Sequence, residues 1–276
     1  MAIFILKIVL IIIGFAVLTS YSDQWEVFTA KNDVQDIALT GNTLWAATTG
    51  GVVAWNLGDN SYKSYTTLDG WLSCNINQVA IDKKGRPWVA TKEPTGLFIY
   101  ENNEWKRMNV GGVHTNNIED KTIHGLEVDK FGNVWVYVGY RERFIDPWNP
   151  GTYLWRYDGQ TWHKHEGVYR PLALDPQKNL LAVDSVYMSD GSDHFRIVSF
   201  NGSEFVSKWR SKAHHENIVS FALAHIAQDS KGNPWISYYD DRNGTTYGVA
   251  CNNTIYNTLD GLADDNVRSI TADESG

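Results

Sequence analysis

Short apolar runs and polar turns alternate along the chain, and the arrangement repeats. Each repeat holds four runs rich in Val, Ile, Tyr, Phe and Trp, separated by turns that contain Gly, Asn and Asp, a composition typical of β-strands. In the second repeat the predicted strands are Ile76–Ile81, Pro87–Thr91, Gly96–Tyr100 and Glu104–Met108. No amphipathic helix of useful length follows residue 20. The pattern therefore predicts an all-β chain.

The same four strand positions recur in the third and fifth repeats. The third repeat predicts strands at Ile123–Val128, Val134–Val138, Thr152–Tyr157 and Thr161–Lys164. The fifth repeat predicts strands at His225–Gln228, Pro234–Tyr239, Tyr247–Asn252 and Thr254–Thr258. Four-stranded units that repeat in this way predict the blades of a β-propeller.

A signature of one Asp, a polar turn and a Trp six residues after the Asp marks the turn between the first two strands of a repeat. Anchor positions along the series lie 43 to 54 residues apart, and a period of roughly 40–50 residues is typical of propellers, solenoids and arrays. One copy is degenerate, with Leu181 in the Trp position, and one Trp stands in the series without an Asp. The positions of the signature are Trp45, Asp82, Trp88, Asp129, Trp135, Asp175, Asp229, Trp235 and Asp273.

The residue types of the signature suit a structural role. An Asp can hydrogen-bond the amides of its own turn, and a Gly tolerates the positive φ that a hairpin requires. The Trp begins the second strand, where its large flat side chain can pack between neighbouring sheets. Because a catalytic residue is rarely needed once in every blade, we interpret the whole series as architecture.

The two ends of the chain predict partial blades. Asp23–Thr29 resembles the fourth strand of a blade, and Val267–Ala272 resembles a first strand. Propellers commonly close when a strand from the N-terminus completes the last blade. We therefore expect residues 23–276 to form an incomplete β-propeller of four-stranded antiparallel blades, about five of them complete, that is a fragment of a seven-bladed ring of about 315 residues.

The first 22 residues predict an export signal. Lys7 is their only charged residue, Ile8 to Leu18 is an unbroken apolar run, and small residues follow at Ser20 and Ser22. A run of this length before small residues is typical of a cleaved signal peptide. The alternative is an uncleaved N-terminal anchor. Either interpretation places the propeller outside the cytoplasm, in the periplasm or on the cell surface.

Composition and motifs narrow the chemistry. The formal net charge is −8, and no basic stripe is present, which argues against nucleic-acid binding. Cys74 and Cys251 lie in different repeats and do not form a disulfide framework, so two buried thiols are expected, with a single bridge between them as the alternative. His163 and His165 have no companion ligands at metal spacing, so no metal site is predicted. No nucleotide-binding or nucleophile motif is present, and no cofactor is predicted.

A longer motif gives a family resemblance. The segment Thr67 to Val79 recurs as Thr258 to Ile270, and both copies contain Leu-Asp-Gly followed by an Asn and a Val or Ile strand. This motif resembles the two-component regulator propeller repeat, and the resemblance covers residues 23–276, with the fourth repeat weakest. The Asp229 turn also resembles the Asp box of sialidase-like propellers, which is a folding motif.

The resemblance implies an extracytoplasmic ligand-sensing propeller. Similar propellers form the sensor regions of membrane-bound histidine kinases that respond to polysaccharides or their breakdown products. The implied partners are an extracellular ligand such as an oligosaccharide and a C-terminal signalling or membrane region. Two alternatives remain open: a secreted propeller enzyme, which would be a sialidase-like hydrolase or a lyase, and a surface scaffold for protein–protein interactions.

The ligand is expected at the loops that follow the second and fourth strands of each blade, because binding residues concentrate in long loops. Aromatic and charged side chains in these loops could stack on sugar rings and hydrogen-bond hydroxyl groups. The candidate ligand-binding residues are Trp71, Tyr140, Arg141, Trp148, Tyr169, Arg170, Asp240 and Arg242. No catalytic residue is predicted.

Overall fold

The computed structural model describes residues 31–71, 73–112, 121–140, 153–166, 168–187, 193–210, 221–240, 246–251, 254–267 and 270. In these residues, twenty strands form five separate four-stranded antiparallel sheets, and each sheet uses four consecutive strands. The predicted all-β fold with propeller blades is confirmed. We number the sheets blade 1 to blade 5 in chain order.

The strand bounds follow the repeat. Blade 1 contains β1 (Val34–Thr40), β2 (Thr43–Thr48), β3 (Gly51–Asn56) and β4 (Tyr62–Tyr65). Blade 2 contains β5 (Ile76–Ile81), β6 (Pro87–Thr91), β7 (Gly96–Glu101) and β8 (Glu104–Met108). Blade 3 contains β9 (Lys121–Val128), β10 (Val134–Tyr140), β11 (Tyr153–Tyr157) and β12 (Trp162–His165). Blade 4 contains β13 (Val168–Leu174), β14 (Leu180–Tyr187), β15 (Asp193–Phe200) and β16 (Phe205–Arg210). Blade 5 contains β17 (Phe221–Gln228), β18 (Pro234–Asp240), β19 (Thr246–Cys251) and β20 (Thr254–Tyr256).

Most strand bounds lie within two residues of the prediction, and the largest difference lies at a β-bulge. The first strands of blades 3 and 5 begin before the predicted residues, at Lys121 and Phe221. In β17 the pairing register shifts between Leu223 and His225, and β9 has a similar shift. A bulge adds one unpaired residue and changes the phase of the apolar pattern. This explains why the prediction of β17 began only at His225, whereas the predicted β9 already crossed its bulge.

The end of blade 5 corrects a second prediction. β20 ends at Tyr256, although the apolar pattern extended the strand to Thr258. Asn257 instead caps a short 3₁₀ turn, Thr258–Asp260, and the Asp260 carboxylate accepts the Asn257 backbone N–H at 3.0 Å. A reciprocal cap of this kind satisfies two backbone donors and ends the strand.

The signature Asp organises its turn as its residue type predicts. Asp129 is 3% exposed, and its Oδ1 accepts the backbone N–H of Asn133 at 2.9 Å. Its Oδ2 accepts the indole N–H of Trp135 at 2.8 Å. Asp82 and Asp229 accept the indole N–H of their own Trp at 3.2 and 3.3 Å. One carboxylate therefore fixes both the turn and the Trp that follows it.

The degenerate signature keeps the turn without the Trp. Asp175 Oδ1 accepts the backbone N–H of Asn179 at 2.7 Å. Lys178 adopts φ +59° at the turn position where the other copies have Gly85, Gly132 and Gly232, with φ between 76° and 84°. The turn geometry is thus retained by a residue that is less suited to positive φ.

The apolar core lies between successive blades. We call the side of a blade that faces the preceding blade its entry face and the side that faces the next blade its exit face. Trp45, Trp88, Trp135 and Leu181 lie on the exit faces of blades 1 to 4, and each packs against the entry face of the next blade. The Trp of the signature therefore packs between sheets, as a large flat side chain in that position should.

The first strands of the blades lie beside one another in chain order. β1 contacts β5, β5 contacts β9, β9 contacts β13, and β13 contacts β17. The sheets are therefore arranged about an axis along which the first strand of each blade is innermost, as in a propeller.

Predictions for residues 1–30 and for Asp273 lie outside the described residues. In the part of the chain that is described, no helix is long and apolar enough to cross a membrane. Cys74 and Cys251 are free thiols, and Cys251 is buried while Cys74 is half-buried.

Candidate functional site

Trp71 is the one predicted ligand-binding residue whose side chain lies within the described residues. It is 5% exposed, because its ring stacks on Phe98 at 5.6 Å and meets Trp105 edge-on at 4.4 Å. The side chain therefore packs between blades 1 and 2. Its predicted role in ligand binding remains a prediction.

The other predicted residues divide by position. Tyr140 and Asp240 were expected in the loops after the second strands, but β10 and β18 are longer than predicted and these residues are their last members. Tyr169 and Arg170 lie on the innermost strand β13, not in the preceding loop, because β13 begins at Val168 before a register shift that disrupts the apolar pattern. The remaining three, Arg141, Trp148 and Arg242, lie outside the described residues.

A two-lobed cleft lies between blades 1 and 2, with Trp45 of β2 and Tyr100 of β7 in both lobes. We call it the Trp45–Tyr100 cleft. The first lobe has a volume of about 330 Å³ and is bordered by β2, β3 and β4 with Asn56, Ser61 and Lys63. The second lobe has a volume of about 520 Å³ and is bordered by the turns of blade 2 at 84–87 and 101–103.

The cleft lies at the opposite ends of the strands from the predicted loops. Its walls include the first residue of β2, the last of β3 and the hairpin turn after β7. These positions belong to the turns between first and second strands and between third and fourth strands. The sequence reasoning placed the ligand at the other connections, so it missed this cleft.

Trp45 differs from the other signature tryptophans in its hydrogen bonding. Trp88, Trp135 and Trp235 donate their indole N–H to an Asp, but Leu39 occupies that position in the first copy. The Trp45 Nε1 atom is buried and has no hydrogen-bond partner. The missing Asp was visible in the sequence and was the one signal that set this copy apart.

Hydrogen bonding and aromatic contacts form the floor of the cleft. Tyr65 donates its hydroxyl to the Tyr100 hydroxyl at 3.0 Å, and the Tyr65 ring stacks on Trp45 at 5.9 Å. Burial, followed by the Tyr100 hydroxyl and the Asp69 carboxylate, raises the pKa of Tyr65. Tyr65 therefore stays a neutral hydroxyl. The Lys63 ammonium lies 4.7 Å from the centre of the Tyr65 ring.

An ion-pair network borders the second lobe. Arg86 donates its Nε–H to Asp82 at 2.7 Å and also pairs with Glu101. Glu101 in turn lies 3.3 Å from the Lys106 ammonium. Burial acts to raise the pKa of Asp82, but the hydrogen bonds from Arg86, Trp88 and the Lys84 backbone together outweigh burial and hold that pKa below its usual range. The network fixes the Arg86 guanidinium at the rim of the cleft.

A second polar feature lies on the innermost strands. Glu127 of β9 lies directly opposite Trp135 in the register of the two strands. In the other four blades the residue opposite the Trp or Leu of the second strand is an alanine: Ala38, Ala80, Ala173 and Ala227. Burial, and then the charge of Asp36, raises the pKa of Glu127 to about 8. Asp36 accepts the Val79 backbone N–H at 2.9 Å, and burial also raises its pKa.

In the described part of the chain, side chains that could bind a metal do not converge, since no three His, Cys, Asp or Glu side chains lie together there. His163 lies 2.6 Å from the Asp158 carboxylate, and His165 packs against Trp135. Burial lowers the pKa of His165 to about 4, so its ring is neutral at physiological pH.

Comparisons with known proteins identify a β-propeller. No protein-family model matches the chain, and no curated protein matches it. Virginiamycin B lyase from Staphylococcus aureus aligns at a TM-score of 0.54 with 12% identity, over 89% of this chain and 77% of the lyase. A PL25 ulvan lyase with -[GlcA(1-4)Rha3S]- bound aligns at 0.50 with 9% identity, over 89% of this chain and 77% of the lyase.

A sensor domain is also among the similar structures. The extracellular domain of a hybrid two-component system from B. thetaiotaomicron aligns at a TM-score of 0.34 with 14% identity, over 84% of this chain and 50% of that domain. Sequence identities this low establish a shared fold only. The class that the fold defines is the β-propeller, and a fold of this kind does not by itself assign a function.

Proposed function

We propose that this chain is an extracytoplasmic ligand-binding propeller that recognises a glycan fragment and forms the sensor part of a two-component receptor. The observation that supports the binding function is the Trp45–Tyr100 cleft. The sensor assignment rests on the resemblance of the repeat, and export rests on the apolar leader.

The walls of the cleft have the chemistry that sugar recognition requires. A sugar has apolar C–H faces and a rim of hydroxyl groups. The ring of Tyr100 offers an apolar surface, and Asn56, Ser61 and Lys63 offer hydrogen-bonding groups beside it. The cleft thus combines aromatic surface with many polar groups, and the second lobe is lined mainly by polar and charged side chains such as Arg86 and Glu101.

Charge at the cleft refines the ligand class. Lys63 borders the first lobe, and Lys84 borders the second. The Arg86 guanidinium of the second lobe is already neutralised by two carboxylates. The excess positive charge at the rim favours a glycan that bears carboxylate or sulfate groups.

Binding is tested with an array of neutral and acidic oligosaccharides, followed by titration with tryptophan fluorescence as the readout. Lys63→Ala should weaken binding of an acidic oligosaccharide about ten-fold, equivalent to about 1.4 kcal/mol. Lys208→Ala is the matched control, because Lys208 is exposed on β16 of blade 4, away from the cleft. Equal affinities of the two variants would remove the cleft as the site.

Export and signalling need separate tests. A fusion of alkaline phosphatase to the end of the chain should be active in the bacterial periplasm, and N-terminal sequencing should find Asp23 if the leader is cleaved. The coding sequence that follows Gly276 should contain a membrane segment and a histidine kinase. A coding sequence without either would overturn the signalling part and leave the binding function untouched.

One observation favours an enzyme as a second candidate. Asp36 and Glu127 are two acids of the innermost strands whose pKa values are both raised, and perturbed acids concentrate at catalytic sites. A protonated Glu127 would serve as a general acid in a hydrolase or lyase. Polysaccharide cleavage by the wild type and its loss in Glu127→Gln, with folding retained, would support this candidate. Absence of turnover across a polysaccharide panel would exclude it.

A further inference from the structure

The interfaces between blades follow a rule that involves two aromatic positions. On the entry face of blades 2, 3 and 4, the third and fourth strands carry a directly paired set of aromatic residues next to the hairpin turn. The pairs are Tyr100–Trp105, Tyr157–Trp162 and Phe200–Phe205, with ring centres 5.0, 5.1 and 5.4 Å apart.

Each of these pairs receives the signature Trp of the preceding blade. Trp45 lies 5.6 Å from Tyr100 and 6.1 Å from Trp105. Trp88 lies 5.7 Å from Tyr157. In the third interface, Trp135 lies 4.8 Å from Phe200 and 5.5 Å from Phe205. An exit-face Trp on an entry-face aromatic pair is thus the packing unit of three successive interfaces.

The fourth interface lacks both halves of the unit. Blade 4 has Leu181 in the Trp position. In blade 5, Cys251 of β19 pairs with Thr254 of β20. The two residues between them in the sequence, Asn252 and Asn253, occupy the positions of the aromatic pair. The Trp and the aromatic pair are therefore present together or absent together in all four interfaces.

Blade 1 has an aromatic pair with no Trp on it. Trp55 and Tyr62 are directly paired on β3 and β4, with ring centres 5.9 Å apart. Leu39 and Leu44 extend the same row across the sheet, as apolar residues do in blades 2 to 4. On this entry face Leu39 is 57% exposed, Trp55 42% and Tyr62 65%, so no described sheet covers it.

Blade 5 has a signature Trp, Trp235, on its exit face, but no described blade follows it to offer an aromatic pair for this Trp to pack on. Trp235 stacks on Tyr256 at 5.6 Å, as Trp45 stacks on Tyr65 in blade 1. Tyr65 is 4% exposed because blade 2 covers it, whereas Tyr256 is 38% exposed. The exit face of blade 5 is therefore the uncovered counterpart of the face that blade 1 presents to blade 2.

We propose that the entry face of blade 1 is a docking surface for the exit face of blade 5 from a second copy of this chain. Trp235 of one copy packs on the Trp55–Tyr62 pair of the next, just as the signature Trp of blades 1 to 3 packs on the aromatic pair of the following blade. The contact is head-to-tail, because the two surfaces differ, so it builds rings or open chains of copies. Large uncovered apolar faces of this kind mark interaction sites in soluble proteins.

Light scattering of the purified chain over a range of concentrations tests this contact. The weight-average mass of the wild type should rise with concentration to at least twice that of one copy. Tyr62→Lys on the entry face and Tyr256→Lys on the exit face should each stay monomeric. An equimolar mixture of the two variants should form a dimer and nothing larger, because each variant retains the one face that the other lacks.

Matched substitutions separate docking from folding. Leu39→Asp should also abolish self-association, whereas Leu68→Asp should leave it intact, since Leu68 has a similar exposure of 62% but lies in the 3₁₀ turn after β4. Circular dichroism establishes that each variant is folded. A wild type that stays monomeric at every concentration, or a variant mixture that does not pair, would overturn the proposal.

Discussion

At the scale of single residues, each of the four described signature Asp residues is the centre of a hydrogen-bond network within its own turn. The Asp129 carboxylate accepts from two backbone amides, the Asn133 side chain and the Trp135 indole. Its acceptor capacity is therefore used within the turn. The repeated Asp residues therefore stabilise the turns of the blades, and we expect ligand binding to depend on other residues.

Replacement of this Asp should cost more in a covered blade than in blade 5. Asp129→Ala leaves the buried Trp135 indole and the turn amides without an acceptor, so we expect a loss of about 2–4 kcal/mol in the free energy of unfolding. Asp229→Ala makes the same change beside Trp235, which is more exposed, and should cost less. Urea unfolding of both variants measures the difference, and equal losses would contradict the expectation.

Glu127 should make stability depend on pH. Its folded pKa of about 8 lies above that of an unfolded carboxyl, so the native state holds a proton that the unfolded state releases. Stability should therefore fall as pH rises from about 5 to about 8 and level off above that. In the Glu127→Gln variant this loss of stability with pH should be smaller, as measured by the urea midpoints at pH 5 and pH 8. The control is Glu104→Gln, at an exposed position on β8, which should leave the pH dependence unchanged.

At the scale of elements, the signature turn between the first two strands of a blade keeps its conformation even where its usual Gly is replaced. Lys178 sits at positive φ in blade 4, where the other signature turns have Gly. Lys178→Gly should stabilise the protein by up to about 1 kcal/mol, because Gly adopts this conformation without strain. The thermal midpoint measures the gain. Lys231→Gly, in the blade 5 turn just before the position that Gly232 occupies, is the control and should not stabilise.

At the scale of the whole molecule, stability is a property of neighbouring blades. Among the described residues, the core clusters join successive sheets, so blades 1 and 5 have one covered face and blades 2 to 4 have two. Repeat assemblies of this kind are stabilised by nearest-neighbour interfaces. Self-association through the two uncovered faces would give the end blades a partner that the described residues do not provide.

Hydrogen exchange should reveal this gradient. Amides of β6 and β10, in blades 2 and 3, should exchange more slowly than those of β2 and β18, in blades 1 and 5, because local opening is easier where one face is uncovered. Measurement at high concentration should slow exchange in β2 and β18 specifically if copies dock head-to-tail. Uniform protection across all four strands at low concentration would contradict the expectation.

The eight candidate ligand-binding residues were predicted from their expected loop positions and their aromatic or charged residue types. Tyr169 and Arg170 proved to be on β13, because a bulge changes the phase of the apolar pattern. Trp71 lies in an aromatic cluster, since an aromatic residue after a turn is as suited to packing as to stacking on a ligand. Residue type does not distinguish these outcomes, because both remove the ring from water.

The sequence by itself determined the blades. Apolar alternation, Asp-centred turns and the period of the signature are local, so three of the four strands in blade 2 match the prediction at both ends. Only the tertiary structure decided which faces meet and which stay open. The Trp45–Tyr100 cleft and the uncovered Trp55–Tyr62 face each depend on how two blades are placed, and that placement arises from side-chain packing between residues far apart in the chain.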